Sequence, residues 1–186
     1  MRRFVLLLLL VFGSVAMGEA QGQPAAAQTD ATPAGRKGFI IGLSGGIGFK
    51  RESIPATRST INFNTTGAIT DFKIGYAPRD QVLVYYTNQV AWGESLSYDA
   101  IGMSAVGVTY MLKPTSPSAF VSGAVGGSLG LSISSTSSSS PGLGVSLGGG
   151  YEFARHFSVG ARWMSLDVGY PNRSNVFGFT FDWLFY

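Results

Sequence analysis

The residue pair with the clearest potential for chemistry is His156 and Ser158, which are separated by one residue. A histidine near a serine hydroxyl can act as the general base that activates a nucleophile for hydrolysis, and a carboxylate usually orients that histidine. His156 is the only histidine in the chain, and it falls in a predicted turn between two strand-like segments. We therefore interpret it as a turn residue and predict no catalytic residue.

A second group of polar residues alternates with large hydrophobic residues along the chain. In a strand, alternation places successive side chains on opposite faces, and charges buried on one face need partners. We predict a structural interior network rather than catalysis or conduction. Arg162 and Asp182 are equidistant from Asn172, so an antiparallel hairpin is expected to place them opposite each other. The predicted network consists of Asp71, Lys73, Gln89, Glu152, Arg162 and Asp182.

Four apolar residues are assigned to the same interior, near the outer end: Ile101, Met103, Met164 and Leu166. Beside a wall of glycine, serine and alanine they could enclose a pocket for a lipid tail or a small apolar molecule. The alternative, which we favour, is complementary packing of large against small side chains. The glycines lie in alternating segments rather than in nucleotide-binding loops. No cofactor and no metal-binding residue is predicted.

The elements that position these residues are eight segments of period-two alternation between residues 38 and 186. The last segment places five aromatic residues on one face, namely Phe177, Phe179, Phe181, Trp183 and Phe185. A soluble sandwich or lipocalin-like barrel also alternates, but its second face is charged, whereas only 12 % of this chain is charged. We predict an all-β fold, a transmembrane antiparallel up-and-down barrel of eight strands.

The connections between segments alternate in length. Those near Pro78, Pro114 and Arg155 are brief, and those near Arg58, Ser95, Ser137 and Pro171 are mostly longer. Short turns at one end and longer loops at the other are usual in transmembrane barrels. An even strand number then puts both termini at the end with the short turns, which is expected to face the periplasm.

The N-terminal region has the pattern of an export signal. Arg2 and Arg3 precede a short apolar run, and small residues follow, with cleavage expected after Gly18 or Ala20. We assign residues 1–20 to a signal peptide, 21–37 to a flexible periplasmic lead-in and 38–186 to the barrel. Without Arg2 and Arg3 the chain is near neutrality, so no nucleic-acid partner is expected. With no cysteine, no lipid anchor is expected.

The run Gly148-Gly149-Gly150-Tyr151-Glu152-Phe153-Ala154-Arg155-His156-Phe157-Ser158-Val159 and the aromatic last strand resemble the small outer-membrane β-barrel superfamily. This superfamily includes the OmpA transmembrane domain, OmpX and opacity-like porin-family proteins, and the resemblance covers residues 38–186. It implies a monomer in the bacterial outer membrane. Outer-membrane lipids, lipopolysaccharide and the barrel assembly machinery are the implied partners. Tyr186 departs from the pattern, because it lies one step beyond the aromatic phase.

Two function classes follow from these observations. The favoured one is a non-enzymatic barrel that contributes to envelope structure or to surface contact and adhesion through its extracellular loops. The alternative is a lipid-binding or lipid A-modifying barrel with an apolar lumen. His156 and Ser158 resemble the His-x-Ser pair of lipid A deacylases, but that family's following glutamate has no counterpart after Glu152. A narrow pore is the third and least favoured option.

Overall fold

The computed structural model describes residues 35–56, 59–93, 99–132, 137–138, 140–168 and 173–186. The predicted signal peptide, and the lead-in up to residue 34, lie outside the described residues. Within the described part, no helix is long and apolar enough to cross a membrane.

Eight antiparallel strands pair in chain order, and the last pairs with the first. The chain therefore forms a closed up-and-down transmembrane barrel, which confirms the predicted fold class. A two-residue segment, Ser137–Ser138, adds to the end of the fifth strand. The strands are β1 (Gly38–Ala56), β2 (Ser59–Arg79), β3 (Val82–Trp92), β4 (Ala100–Met111), β5 (Ser118–Ser132), β6 (Gly142–Ala154), β7 (Phe157–Asp167) and β8 (Arg173–Phe185).

The two faces of the barrel wall differ as the alternation predicts. Large hydrophobic side chains are exposed on the outside of all eight strands, where hydrocarbon can solvate them. The lumen face carries small and polar residues together with buried apolar side chains. Gly46 illustrates why small residues are needed, because a Cβ there would lie 1.9 Å from the carbonyl oxygen of Phe179. Because the barrel is closed, the backbone N–H and C=O groups of each strand pair with those of its neighbours. Such pairing is required in the membrane interior, where no water is available as a hydrogen-bond partner.

The two ends of the barrel differ in their connections. At the turn end, which holds the described part of the lead-in and the C-terminus, β2–β3 and β6–β7 are joined by two-residue turns and β4–β5 by residues 112–117. The opposite end is the loop end. There β1 continues to Ala56 and β2 resumes at Ser59, although we predicted a longer connection near Arg58. The polar residues misled the prediction, because Lys50 and Glu52 still alternate inward as a strand requires.

Two apolar layers fill the lumen on either side of a polar layer. The layer nearer the turn end contains Ile40, Ala77, Leu83, Tyr85 and Met111. The layer nearer the loop end contains Ile69, Ala91, Ile101, Met103, Ala105, Met164, Leu166, Val168 and Val176. The order along β2 fixes the arrangement, since Asp71 and Lys73 lie between Ile69 and Ala77.

Candidate functional site

The polar layer is centred on Asp71, whose side chain is fully buried. Its Oδ2 lies 2.7 Å from Nη1 of Arg162 and 3.3 Å from Nζ of Lys73. Its Oδ1 accepts a hydrogen bond from the hydroxyl of Thr87, which also accepts one from Nε2 of Gln89 at 3.3 Å. One carboxylate on β2 thus joins cations from β2 and β7.

Asp182 on β8 provides the second carboxylate of this layer. Its Oδ1 lies 3.3 Å from Nζ of Lys73 and 3.8 Å from Nη2 of Arg162. The hydroxyl of Ser44 donates to Oδ1, and that of Thr180 donates to Oδ2 at 3.2 Å. Two carboxylates and two cations therefore balance in charge. We call Asp71, Lys73, Arg162 and Asp182 the central quartet.

The predicted direct opposition of Arg162 and Asp182 is wrong. Arg162 pairs with Gly178, and Asp182 pairs with Ser158. The β7–β8 hairpin is therefore centred on residue 170 and not on Asn172. The displacement along β8 is four residues, and an even displacement keeps each side chain on its original face. Both side chains consequently face the lumen and meet diagonally.

Five of the six residues in the predicted network lie in this layer, whereas Glu152 lies apart from them at the turn end. There it pairs with Arg36, a residue that we assigned to the flexible lead-in. Arg36 is 1 % exposed, and its Nε and Nη2 both donate to Oε2 of Glu152. Oε1 of Glu152 accepts from the hydroxyl of Tyr186. Burial, followed by the hydrogen bond to Glu152 and the charge of Glu152, raises the pKa of Tyr186 to about 12.

Arg36 is also held by the short turns. Its Nη1 donates to the carbonyl oxygens of Lys113 at 2.9 Å and Asp80 at 3.3 Å, and its backbone N–H donates to Oδ1 of Asp80 at 2.7 Å. The guanidinium thus bonds to the β2–β3 turn, to the β4–β5 connection and to Glu152 on β6. We call Arg36, Asp80, Glu152 and Tyr186 the turn-end cluster.

Two glycines allow this insertion. A Cβ at Gly35 would lie 2.1 Å from Oδ1 of Asp80, so only glycine fits beside that carboxylate. Gly38 has φ of 123°, a conformation that favours glycine at the bend into β1. The sequence Gly35-Arg36-Lys37-Gly38 therefore carries a signal of this insertion, namely two basic residues between glycines directly before the first strand.

The apolar residues singled out in the sequence are packed against each other. Ile101, Met103, Met164 and Leu166 are at most 3 % exposed and belong to one cluster. A Cβ at Gly144 would lie 3.1 Å from Leu166 and from Met103, so the small face of β6 is occupied by these large side chains. Near the quartet, a cavity of about 30 Å³ bounded by Tyr85, Thr109 and Phe120 has room for about one water molecule.

His156 lies in the β6–β7 turn with φ of 75°. Its Nδ1 is 2.9 Å from the carbonyl oxygen of Leu184, and its ring stacks on Phe185 with centroids 5.2 Å apart. Ser158 is buried on the lumen face of β7, opposite Asp182. The imidazole therefore packs against the end of β8, and its described contacts hold the β6–β7 turn against that strand.

A further buried pair lies at the loop end and was missed from the sequence. Lys50 is 5 % exposed, with its Nζ 3.3 Å from Oε1 of Glu52 and 3.1 Å from the carbonyl oxygen of Gly93. Two further basic residues, Arg51 and Arg58, lie close to Lys50 in the sequence. Of these, Arg51 is exposed, and Arg58 lies outside the described residues.

Solved structures with the same architecture are known. Ail, the attachment invasion locus protein of Yersinia pestis, in complex with the heparin analogue sucrose octasulfate, matches with a TM-score of 0.53 and 13 % identity over 80 % of this chain and 99 % of Ail. Neisserial surface protein A matches with a TM-score of 0.51 and 13 % identity over 78 % of this chain and 96 % of its own. No protein-family model and no curated protein matches the sequence. At this identity the similarity shows the fold, a small eight-stranded barrel.

Proposed function

We propose that this chain is a non-enzymatic β-barrel of the bacterial outer membrane that makes contacts at the cell surface through the β1–β2 hairpin. The observation that carries the proposal is the length of that hairpin. Strands β1 and β2 have 19 and 21 residues, whereas β3 and β7 have 11 each.

The extra length lies at the loop end. Pairing of β2 with β3 stops at Ile69, whereas pairing of β2 with β1 continues to Ser59. Nine residues of β2, 59–67, thus extend beyond Trp92 at the end of β3, which corresponds to roughly 30 Å of strand at about 3.3 Å per residue. On the other side, β8 accompanies β1 up to Ser53. A paired extension of this kind presents a surface to partners without relying on an irregular loop.

The lumen argues against the alternatives. The lipid-binding or lipid A-modifying alternative relies on an apolar lumen, yet the apolar residues near the loop end pack against one another. A narrow pore needs a continuous aqueous path, and the described lumen has an apolar layer on each side of the central quartet. For hydrolysis, His156 would have to reach a nucleophile, but Ser158 is buried on the lumen face opposite Asp182, whereas the ring of His156 packs on Phe185.

The names of the structural neighbours are compatible with this proposal. Ail is named for attachment and invasion and was crystallised with a heparin analogue, and the second neighbour is named as a surface protein. By analogy we propose contact with a host or environmental surface for this chain. Outer-membrane lipids, lipopolysaccharide and the barrel assembly machinery are its proposed envelope partners, and a monomer is its proposed state.

The test removes the tip of the hairpin and keeps the barrel. Replacing residues 53–62 with Asn-Gly joins Glu52 to Phe63, which are paired in the ladder, through a two-residue turn suited to hairpins. Bacteria displaying the intact chain should adhere to cultured epithelial cells or to immobilised heparin more than bacteria with an empty vector, and the shortened chain should lose this gain. The control replaces the serine-rich residues 133–139 in the same way and should retain adhesion. Equal adhesion by both shortened chains, each folded and surface-exposed, would contradict the proposal.

A further inference from the structure

We propose that the turn end is a binding surface for anionic phospholipid headgroups. This inference rests on the membrane-spanning fold and is independent of the adhesion proposed for the hairpin. It starts from four exposed cations at the turn end, namely Lys37, Arg79, Lys113 and Arg155. One comes from the lead-in and the others lie in or beside the three short connections, so the lead-in and each short connection contribute one.

The acidic groups at the turn end compensate only part of this positive charge. Glu152 is buried with Arg36, and Asp80 accepts hydrogen bonds from the backbone N–H groups of Arg36 and Lys37. Arg155 lies 5.7 Å from the ring of Tyr186, a contact that leaves its charge in place. Counting side chains, five cations face two acids at this end, which leaves a surplus of three positive charges.

The rest of the described barrel has no such surplus. The central quartet contains two cations and two acids. At the loop end three cations, Lys50, Arg51 and Arg173, are matched by three acids, Glu52, Asp99 and Asp167. Within the residues that the structure describes, the net positive charge is therefore concentrated at the turn end.

The position of the cations identifies their partner. Each lies within a few residues of a large exposed hydrophobic side chain on the membrane face: Lys37 near Phe39, Arg79 near Tyr76, Lys113 near Leu112, and Arg155 between Phe153 and Phe157. The four aromatic side chains among these are of the kind that marks the membrane interface. Long basic side chains beside them reach the headgroup level with their charged ends. Lipid phosphates and anionic headgroups are therefore the nearest groups of opposite charge.

The test measures lipid selectivity in a reconstituted bilayer. The full-length mature chain is placed in vesicles of phosphatidylcholine, and the association of spin-labelled phosphatidylglycerol is compared with that of spin-labelled phosphatidylcholine. Each basic residue near an anionic surface contributes roughly fivefold at most, so the intact chain should prefer phosphatidylglycerol several-fold at low salt. The preference should approach one in 1 M salt, where the Debye length is about 3 Å.

Variants distinguish the contribution of the turn-end cations from that of charges elsewhere on the chain. Changing Lys37, Arg79, Lys113 and Arg155 together to Gln should abolish the preference, and each single change should reduce it. The matched control, Arg51→Gln with Arg173→Gln at the loop end, should retain it. A preference near one for the intact chain, or an unchanged preference in the fourfold variant and in the single variants, would overturn the proposal and leave the turn end to a soluble acidic partner.

Discussion

The guanidinium of Arg36 and the carboxylate of Glu152, 116 positions apart in the sequence, form a buried ion pair at the turn end of the barrel. Glu152 also binds the hydroxyl of Tyr186. One carboxylate on β6 therefore joins the segment before β1 to the residue after β8, the two strands that close the barrel. The lead-in is part of the fold from at least Arg36 onward.

Loss of Arg36 should destabilise the barrel. Arg36→Ala leaves Glu152 buried without its cation, and removal of one partner of a buried ion pair costs about 3–5 kcal/mol. We expect a lower urea midpoint for unfolding in lipid vesicles. The folded fraction can be measured from the difference in gel mobility between unheated and heated samples. Adding Glu152→Gln should recover part of the loss, and low millimolar guanidinium should restore Arg36→Ala in part. A midpoint equal to that of the intact chain would show that the pair contributes nothing.

The burial of an ion pair should determine how much it contributes to the free energy of unfolding. Arg162 is buried against Asp71, whereas Arg173 pairs with Asp167 at 3.0 Å while 64 % of its side chain is exposed. Arg162→Met should cost about 3–5 kcal/mol because the quartet keeps two carboxylates with one cation. Arg173→Met should cost at most about 1 kcal/mol. Unfolding free energies measured side by side test this ranking, and equal costs would refute it.

Alkaline pH should weaken the turn-end cluster. The pKa of Tyr186 is raised from 10.0 to about 12 in the folded chain, so folding disfavours loss of its proton. The contribution of Tyr186 is therefore complete below pH 10 and is lost as the pH rises through about 12. Absorbance at 295 nm of the intact chain minus that of Tyr186→Phe should reveal a phenol titrating near pH 12 in the folded protein. Titration near pH 10 would show that the phenol does not bond to Glu152.

The packed lumen should not conduct ions. Apolar layers lie on both sides of the central quartet, and a hydrated ion cannot pass packed methionine, isoleucine and leucine side chains. In planar bilayers the purified chain should give no steady conductance steps, whereas a porin reconstituted in the same way should give them. Reproducible steps that scale with salt concentration would mean that the lumen opens.

Alternation was sufficient to predict much of the architecture. It identified the strand faces, and five residues of the predicted network, including Asp71 and Gln89, lie in one layer. The face on which a side chain lies depends only on whether its position is odd or even. The assignment of faces was therefore correct although the predicted β7–β8 register was wrong. What alternation could not supply was the register itself, which depends on where the hairpin turns.

The missed residues share a different cause. Arg36 precedes the first strand, so no periodic pattern surrounds it, and its partner Glu152 is distant in sequence. Lys50 and Glu52 continue the alternation with polar residues, a composition that is also typical of a loop. In both cases a charged residue is buried because another buried charge meets it, and such pairing is visible only in three dimensions.

The central claim is that hydrocarbon contacts one face of every strand and the packed lumen lies behind the other. The chain contains no cysteine, so single cysteines can be placed along β8 from Val176 to Leu184 and labelled with a nitroxide in lipid vesicles. Collision with oxygen, which concentrates in the bilayer, should be high at Phe177, Phe179, Phe181 and Trp183 and low at the positions between them. High accessibility of both sets to a water-soluble paramagnetic reagent, without a two-residue period, would contradict the transmembrane barrel.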